Sequence, residues 1–134
     1  MNEMLLFIIK YCSELYYKFG FKFVYSDCCE GDNSILVLES STAVKFMFMM
    51  DRKQMTLEIA CSIDRKKHEQ YSFELVRKLI TGESDYYTLL DDNNGAFLRD
   101  NLDRIVDMFM EKNIRNTTRY LKELEKKRAK LLFG

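Results

Sequence analysis

The chain of 134 residues contains no proline, no tryptophan, one histidine, four cysteines and five glycines. Without proline, turns must be read from Gly, Asn, Asp and Ser alone, so element boundaries are loosely marked. A single histidine, His68, with no Cys-x-x-Cys spacing beside it, excludes the usual zinc ligand sets. The thiols are Cys12, Cys28, Cys29 and Cys61. Adjacent Cys28 and Cys29 are poorly placed to bond to each other, and four free thiols, buried or partly buried, are expected. Long apolar runs are missing as well. Met4 to Ile9 is short for a signal-peptide core, and Glu3 precedes it where positive charge belongs. No stretch approaches the roughly 18 apolar residues of a membrane span. A cytoplasmic protein without membrane contact is the expectation. Excess charge of either sign is also absent: 21 basic and 21 acidic residues cancel. That removes the bulk electrostatic argument for a nucleic-acid or anionic-membrane binder.

What is present is ordinary for a globular core. The hydrophobic fraction is 47% and the aromatic fraction 13%, which excludes global disorder. The length suits one domain, 1–134, that folds without staples.

Apolar periodicity changes along the chain. Asn2 to Lys18 carries Leu5, Leu6, Ile9, Leu15 and Tyr16 at helical spacing, and Gly20 suits a stop. Phe21 to Tyr25 reads as extended. Gly31-Asp32-Asn33 marks a turn, and three strands of a meander follow: Ile35–Glu39, Val44–Met50 and Met55–Cys61. In the last, Met55, Leu57, Ile59 and Cys61 alternate with Thr56, Glu58 and Ala60, so one face is buried. The middle strand is apolar on both faces apart from Lys45. It is either covered twice or offers Phe46 and Phe48 to a partner. Asp64 to Gln70 is a charged loop. Ser72 can cap a helix over Phe73–Thr81, with Gly82 as its stop. Glu83 to Asn94 is a polar connection, and Asn94 can cap a helix over Ala96–Met110. A last helix over Thr118–Leu132 has a narrow apolar stripe. The period passes from 3.6 to 2 and back. This predicts an α+β domain: an N-terminal helix, an antiparallel meander of three to four strands, and two to three C-terminal helices packed on the sheet. Leu57, Ile59, Val76, Leu79, Leu102, Ile105 and Phe109 are expected to be buried together.

Charge is balanced in sum but not in place. Residues 83–111 hold eight acidic and two basic side chains, and residues 112–134 the reverse, eight basic and two acidic. Two successive helices of opposite sign can simply attract each other. Alternatively one of them docks a partner of opposite charge. The acidic candidates are Asp91, Asp92, Asp100, Asp103 and Asp107. The basic helix has no interleaved aromatic except Tyr120 and no accompanying nucleic-acid motif, so a nucleic-acid partner is not expected.

Catalytic and cofactor motifs are missing: no Gly-rich phosphate loop, no G-x-S-x-G, no H-E-x-x-H. Asp91-Asp92-Asn93-Asn94-Gly95 superficially resembles a calcium loop. The alternating ligands are absent, however, and Leu102 stands where the twelfth-position glutamate belongs. A nucleophile pair of His68 with Cys61 can be imagined, but a solvated loop histidine is the simpler reading. A non-enzyme without cofactor or metal is therefore expected.

The hairpin Val44–Ala60, the helix segment Phe73-Glu-Leu-Val-Arg-Lys-Leu-Ile-Thr-Gly82 and Phe97-Leu-Arg-Asp-Asn-Leu-Asp-Arg-Ile105 occur in an order of elements that resembles the small cytoplasmic immunity proteins of bacteria. These are encoded beside polymorphic toxins, including those of contact-dependent growth inhibition. The resemblance is one of layout and short hydrophobic patterns from Ile35 to Leu132. It implies stoichiometric binding of a cognate toxin protein by a monomer or homodimer. The rival readings are a homodimeric or adaptor protein of bacterial or phage origin, and a thiol enzyme with a pocket around Cys61, Cys28 or His68.

Overall fold

A computed structural model describes residues 2–28, 33–61, 70–83 and 89–133. Cys29, His68 and nearly all of the charged 64–70 loop lie outside the described residues, so the thiol–imidazole reading is not addressed.

The elements in order are α1 (Asn2–Tyr11), α2 (Ser13–Tyr17), β1 (Lys22–Cys28), β2 (Ser34–Glu39), β3 (Val44–Asp51), β4 (Gln54–Cys61), β5 (Gln70–Ser72), α3 (Phe73–Thr81), α4 (Asp92–Met108) and α5 (Ile114–Phe133). The five strands form one antiparallel sheet in the order β1-β2-β3-β4-β5, and the helices pack on it. The α+β class is as expected. β5 extends the sheet by three residues that carry no strand periodicity of their own.

Register places the large side chains on one face. Leu38 and Ile59 flank Phe46, and Leu36 and Leu57 flank Phe48. Directly paired residues share a face, so these six side chains form one apolar layer. Helix α1 and the segment after α2 close it: the Phe7 and Phe48 ring centroids lie 6.4 Å apart, and those of Phe21 and Phe46 5.5 Å. Both Phe46 and Phe48 are 0% exposed. The apolar middle strand is therefore a core strand, and the reading of Phe46 and Phe48 as a partner surface is corrected. The alternate side chains Lys45, Met47 and Met49 are only half-buried.

Of the expected core, Leu57, Ile59, Val76, Leu102, Ile105 and Phe109 are buried together, and Leu79 is half-buried at its edge. The N-terminal helix is interrupted at Cys12 (φ −123°, ψ 18°). Leu15 continues the buried stripe of Met4, Ile8 and Tyr11, so periodicity alone conceals the break. Gly20 and Gly82 take φ of +68° and +73° and end their helices in the left-handed region that glycine tolerates. The β3–β4 turn achieves the same handedness without glycine, at Arg52 (φ 51°) and Lys53 (φ 67°). Two successive positive φ values match the right-handed twist of the hairpin.

Capping differs from the expectation at two helices. Ser72 occupies the N-cap of α3 but its hydroxyl makes no capping bond, and Ser72 Oγ is buried with no partner among the described residues. At α4 the cap is Asp91, whose carboxylate accepts from the Asn94 backbone N–H at 2.8 Å. The helix thus begins at Asp92, four residues before the sequence expectation. Asn94 is inside it and fully buried: its side chain accepts from Arg77 and donates to Leu89 O at 2.6 Å. Helix α5 also starts four residues early, because Asn116 and Thr117 sit within its first turn. Thr117 donates its hydroxyl to Met108 O at 2.7 Å and so joins the ends of α4 and α5. No helix among the described residues is long and apolar enough to cross a membrane.

Candidate protein-binding surface

Helices α1, α2 and α4 bring the acidic candidates to one side of the molecule. Asp100, Asp103 and Asp107 follow each other at spacings of three and four on α4, which aligns them along one stripe. Asp92 and Asp103 meet Lys10 of α1 and Lys18, just past the end of α2, while Asp100 and Asp107 meet basic residues near them in the sequence. Lys18 Nζ donates to Asp103 Oδ1 and Oδ2 at 2.8 and 2.9 Å. Lys10 Nζ lies 3.5 Å from Asp92 Oδ1, which also accepts from the Tyr11 hydroxyl. Asp100 pairs with Arg99 at 3.3 Å, and Asp107 with Lys112 at 3.5 Å.

These contacts leave the carboxylates accessible. Asp92, Asp100, Asp103 and Asp107 are all exposed, and exposed pairs hold loosely. Hydrogen bonding from Tyr11, with the charge of Lys10 behind it, lowers the Asp92 pKa below the usual carboxylate range. The Asp103 hydrogen bond raises that of Lys18. Asp91 differs from the rest. It is half-buried and its carboxylate is committed to the α4 N-terminus, so it belongs to the helix and not to the surface.

The surface also holds a feature that charge reasoning missed. Tyr16 and Tyr17 on α2 stack edge to face, with ring centroids 5.2 Å apart, and Tyr17 is 82% exposed. Lys18, the next residue, carries the pair to Asp103. Helical periodicity had placed Tyr16 on the apolar face of a continuous helix. Leu6 and Ile9, placed on that face with it, are also exposed, and both precede the break at Cys12; the buried stripe runs instead through Met4, Ile8, Tyr11 and Leu15, which leaves both rings outward. Tyrosine combines a large apolar area with few rotamers to freeze, which makes it a common interface anchor.

At the junction of α4 and α5, Lys112 pairs with Asp107. Helix α5 packs on α3. Its Arg128 reaches Glu74 Oε2 at 3.2 Å, and the Glu74 side chain is only 8% exposed. Arg115, Arg119, Lys126, Lys127 and Lys130 point away from the body, and none has an ion pair among the described residues.

The thiols divide by burial. Cys12 is fully buried, and desolvation pushes its pKa up to about 12, far from a nucleophile's range. Cys28 is exposed and Cys61 half-buried, and both are free. Among the described residues no group of three or more His, Cys, Asp or Glu side chains is placed to hold a metal ion. Comparison with protein-family models, with curated proteins and with solved structures gives no match to this chain.

Proposed function

We propose that the protein is a non-catalytic binding domain that neutralises a cognate bacterial toxin by one-to-one association, through the surface of α2 and α4. The carrying observation is the exposed Tyr16–Tyr17 pair set beside the exposed carboxylates Asp92, Asp100, Asp103 and Asp107. An aromatic anchor rimmed by charge is the composition of a transient protein interface. The layout of elements, which resembles that of immunity proteins, supplies the class of partner. The carboxylates favour a toxin with a basic face and steer its approach, while the tyrosines hold it once docked. Lys10 and Lys18 are exposed and can release their carboxylates to a partner's arginines at little cost.

Co-expression with the product of the neighbouring gene tests the proposal, with pull-down and growth rescue as readouts. A toxic neighbour, rescued only when the two proteins bind, supports it. A harmless neighbour, or rescue by variants that no longer bind, refutes it. Within that assay, replacing Asp100 and Asp107 by asparagine should slow association and flatten its salt dependence. Tyr17→Ala should instead speed dissociation.

A further inference from the structure

Helix α5 has two unlike sides. Thr117 and Leu121 are buried and Leu124 and Arg128 half-buried, and they mark the side that meets the body. The opposite side carries Arg115, Arg119, Lys126 and Lys130, all exposed. Their spacings of four, seven and four residues are each close to a whole number of helical turns, so the four cations stand in one line. From Arg115 to Lys130 the line rises about 22 Å. None of the four has an ion pair among the described residues. The Arg119 guanidinium rests over the neighbouring Tyr120 ring, 5.1 Å from its centroid. Lys122 shares the line but has a contact of its own within the chain, so it is not counted. Of the two glutamates of α5, Glu123 borders the line and Glu125 lies about a quarter of a turn away. The exposed carboxylates of α4 are in the opposite condition. Asp92, Asp100, Asp103 and Asp107 each have a cation of this chain within 3.5 Å. Among the described residues, the fold thus supplies counter-charges to the α4 carboxylates and none to this line of α5.

We infer that the line Arg115, Arg119, Lys126 and Lys130 binds the phosphate backbone of a nucleic-acid duplex, without regard to base sequence. Charge complementarity calls for a polyanion, and the make-up of the line chooses among polyanions. A protein interface needs an apolar or aromatic anchor among its charges. The line has none, and Tyr120 stands about a third of a turn away from it. A helix that lies on an anionic membrane needs apolar side chains that enter the bilayer beside its cations. The exposed Leu131 and Leu132 are on the other side of α5, in continuation of Leu121 and Leu124. A phosphate backbone asks only for positive charge in a row. Successive phosphates of one strand are about 3.4 Å apart along the duplex axis, so the line runs beside about six of them.

The absence of interleaved aromatics and of a recognition motif, which spoke against a nucleic-acid partner in the sequence, bears on base reading and on stacking. It does not bear on backbone contact. The net charge of zero hides the line because the compensating carboxylates are elsewhere, on α4, and already paired. The line is apart from the α2–α4 surface, so this inference and the toxin reading stand or fall separately.

Fluorescence anisotropy of the full chain with a labelled DNA duplex of about 20 base pairs, over about 30 to 200 mM salt, tests it. Four phosphate contacts give a slope of log affinity against log salt of about −3.6, a loss of roughly hundredfold between about 50 and 200 mM. Scrambling the duplex sequence should leave the affinity unchanged. Arg119→Gln and Lys126→Gln should each reduce the slope by about 0.9, and the double variant by about 1.8. Lys22→Gln, which removes an exposed lysine of β1, should leave it unchanged. Unchanged circular dichroism and melting show that the variants fold, and if either α5 variant does not, Arg115→Gln and Lys130→Gln take their place. Absence of binding at about 30 mM salt overturns the inference. So does a slope that the α5 variants leave unchanged, or one that Lys22→Gln reduces equally. Vesicles of phosphatidylserine and phosphatidylcholine, or poly-glutamate, bound as tightly as the duplex at the same salt would assign the line to a membrane or to an acidic protein, and overturn it as well.

Discussion

Helices α4 and α5 carry opposite charge in nearly equal amount, yet the fold treats them differently. α4 is held along its length. Leu98, Leu102, Ile105 and Val106 are buried, and Lys10 of α1 and Lys18, just past α2, pair with two of its carboxylates. α5 is tethered at few points: Leu121 and Thr117 are buried, Arg128 reaches Glu74, and its last leucines, Leu131 and Leu132, are exposed. A block of like charge in a sequence therefore has no fixed meaning. Its role depends on which elements the topology sets beside it, and here two of the counter-charges for α4, Lys10 and Lys18, come from the other end of the chain.

The strongest way to break this contrast is to truncate each helix where it meets the core. Leu102→Ala or Ile105→Ala in α4 should cost about 2–5 kcal/mol in chemical denaturation. Leu131→Ala in α5 should leave the midpoint where it was. Equal losses at both places would mean that the end of α5 is buried in solution. A smaller effect is expected from the α5 tether. Arg128→Ala leaves the buried Glu74 carboxylate without its partner, at a cost of about 1–3 kcal/mol. Arg119→Ala, on the outward side of the same helix, should cost nothing measurable.

The counter-charges of α4 can be tested by pH. The Asp92 pKa is lowered in the folded protein, so its contribution is present above the unfolded carboxylate pKa, near 3.8, and is lost as pH falls through the lower folded value. Wild type should thus melt above Asp92→Asn at neutral pH, and the two curves should converge in strong acid. A gap that persists or widens there would mean that the Tyr11 bond does not depend on the charged carboxylate. The smallest effect concerns reactivity. In native protein, Cys28 and Cys61 should react with a thiol reagent while Cys12 reacts only on unfolding. Early labelling of Cys12 would show that the α1–α2 joint opens.

Strong periodicity was legible. The β4 alternation of Met55, Leu57 and Ile59, and the helix from Phe73 to the Gly82 stop, lie where the residues put them. Three features were hidden for physical reasons. The break at Cys12 leaves Leu15 on the same stripe as Tyr11, so no change of period betrays it. The start of α4 was masked because Asp91, Asp92, Asn93 and Asn94 are all capping residue types, and only the buried bonds of Asn94 to Arg77 and Leu89 decide among them. The acidic stripe was legible as a stripe, but its partners Lys10 and Lys18 are too distant in sequence for charge counting to find. The outward position of Tyr16 was missed because the apolar face was set on Leu6 and Ile9, which are exposed, and not on Met4, Ile8, Tyr11 and Leu15.

Gly95 is in contact with the ring of Tyr11. A methyl group at that position would come within 2.5 Å of the ring carbons, so α1 and α4 approach as closely as they do only because the side chain is absent. This has a consequence for the order of events during synthesis. Tyr11 bonds Asp92 at a separation of 81 residues, and a ribosome adding about 5–20 residues per second takes roughly 5–15 seconds to cover it. Through that interval the nascent chain carries Phe7, Ile8 and Tyr11 with no α4 to receive them. The sheet can form first and seat Phe7 against Phe48, but the Tyr11 end of the amino-terminal helix must wait for α4. That makes it the segment on which a ribosome-bound chaperone would find the longest-lived apolar target.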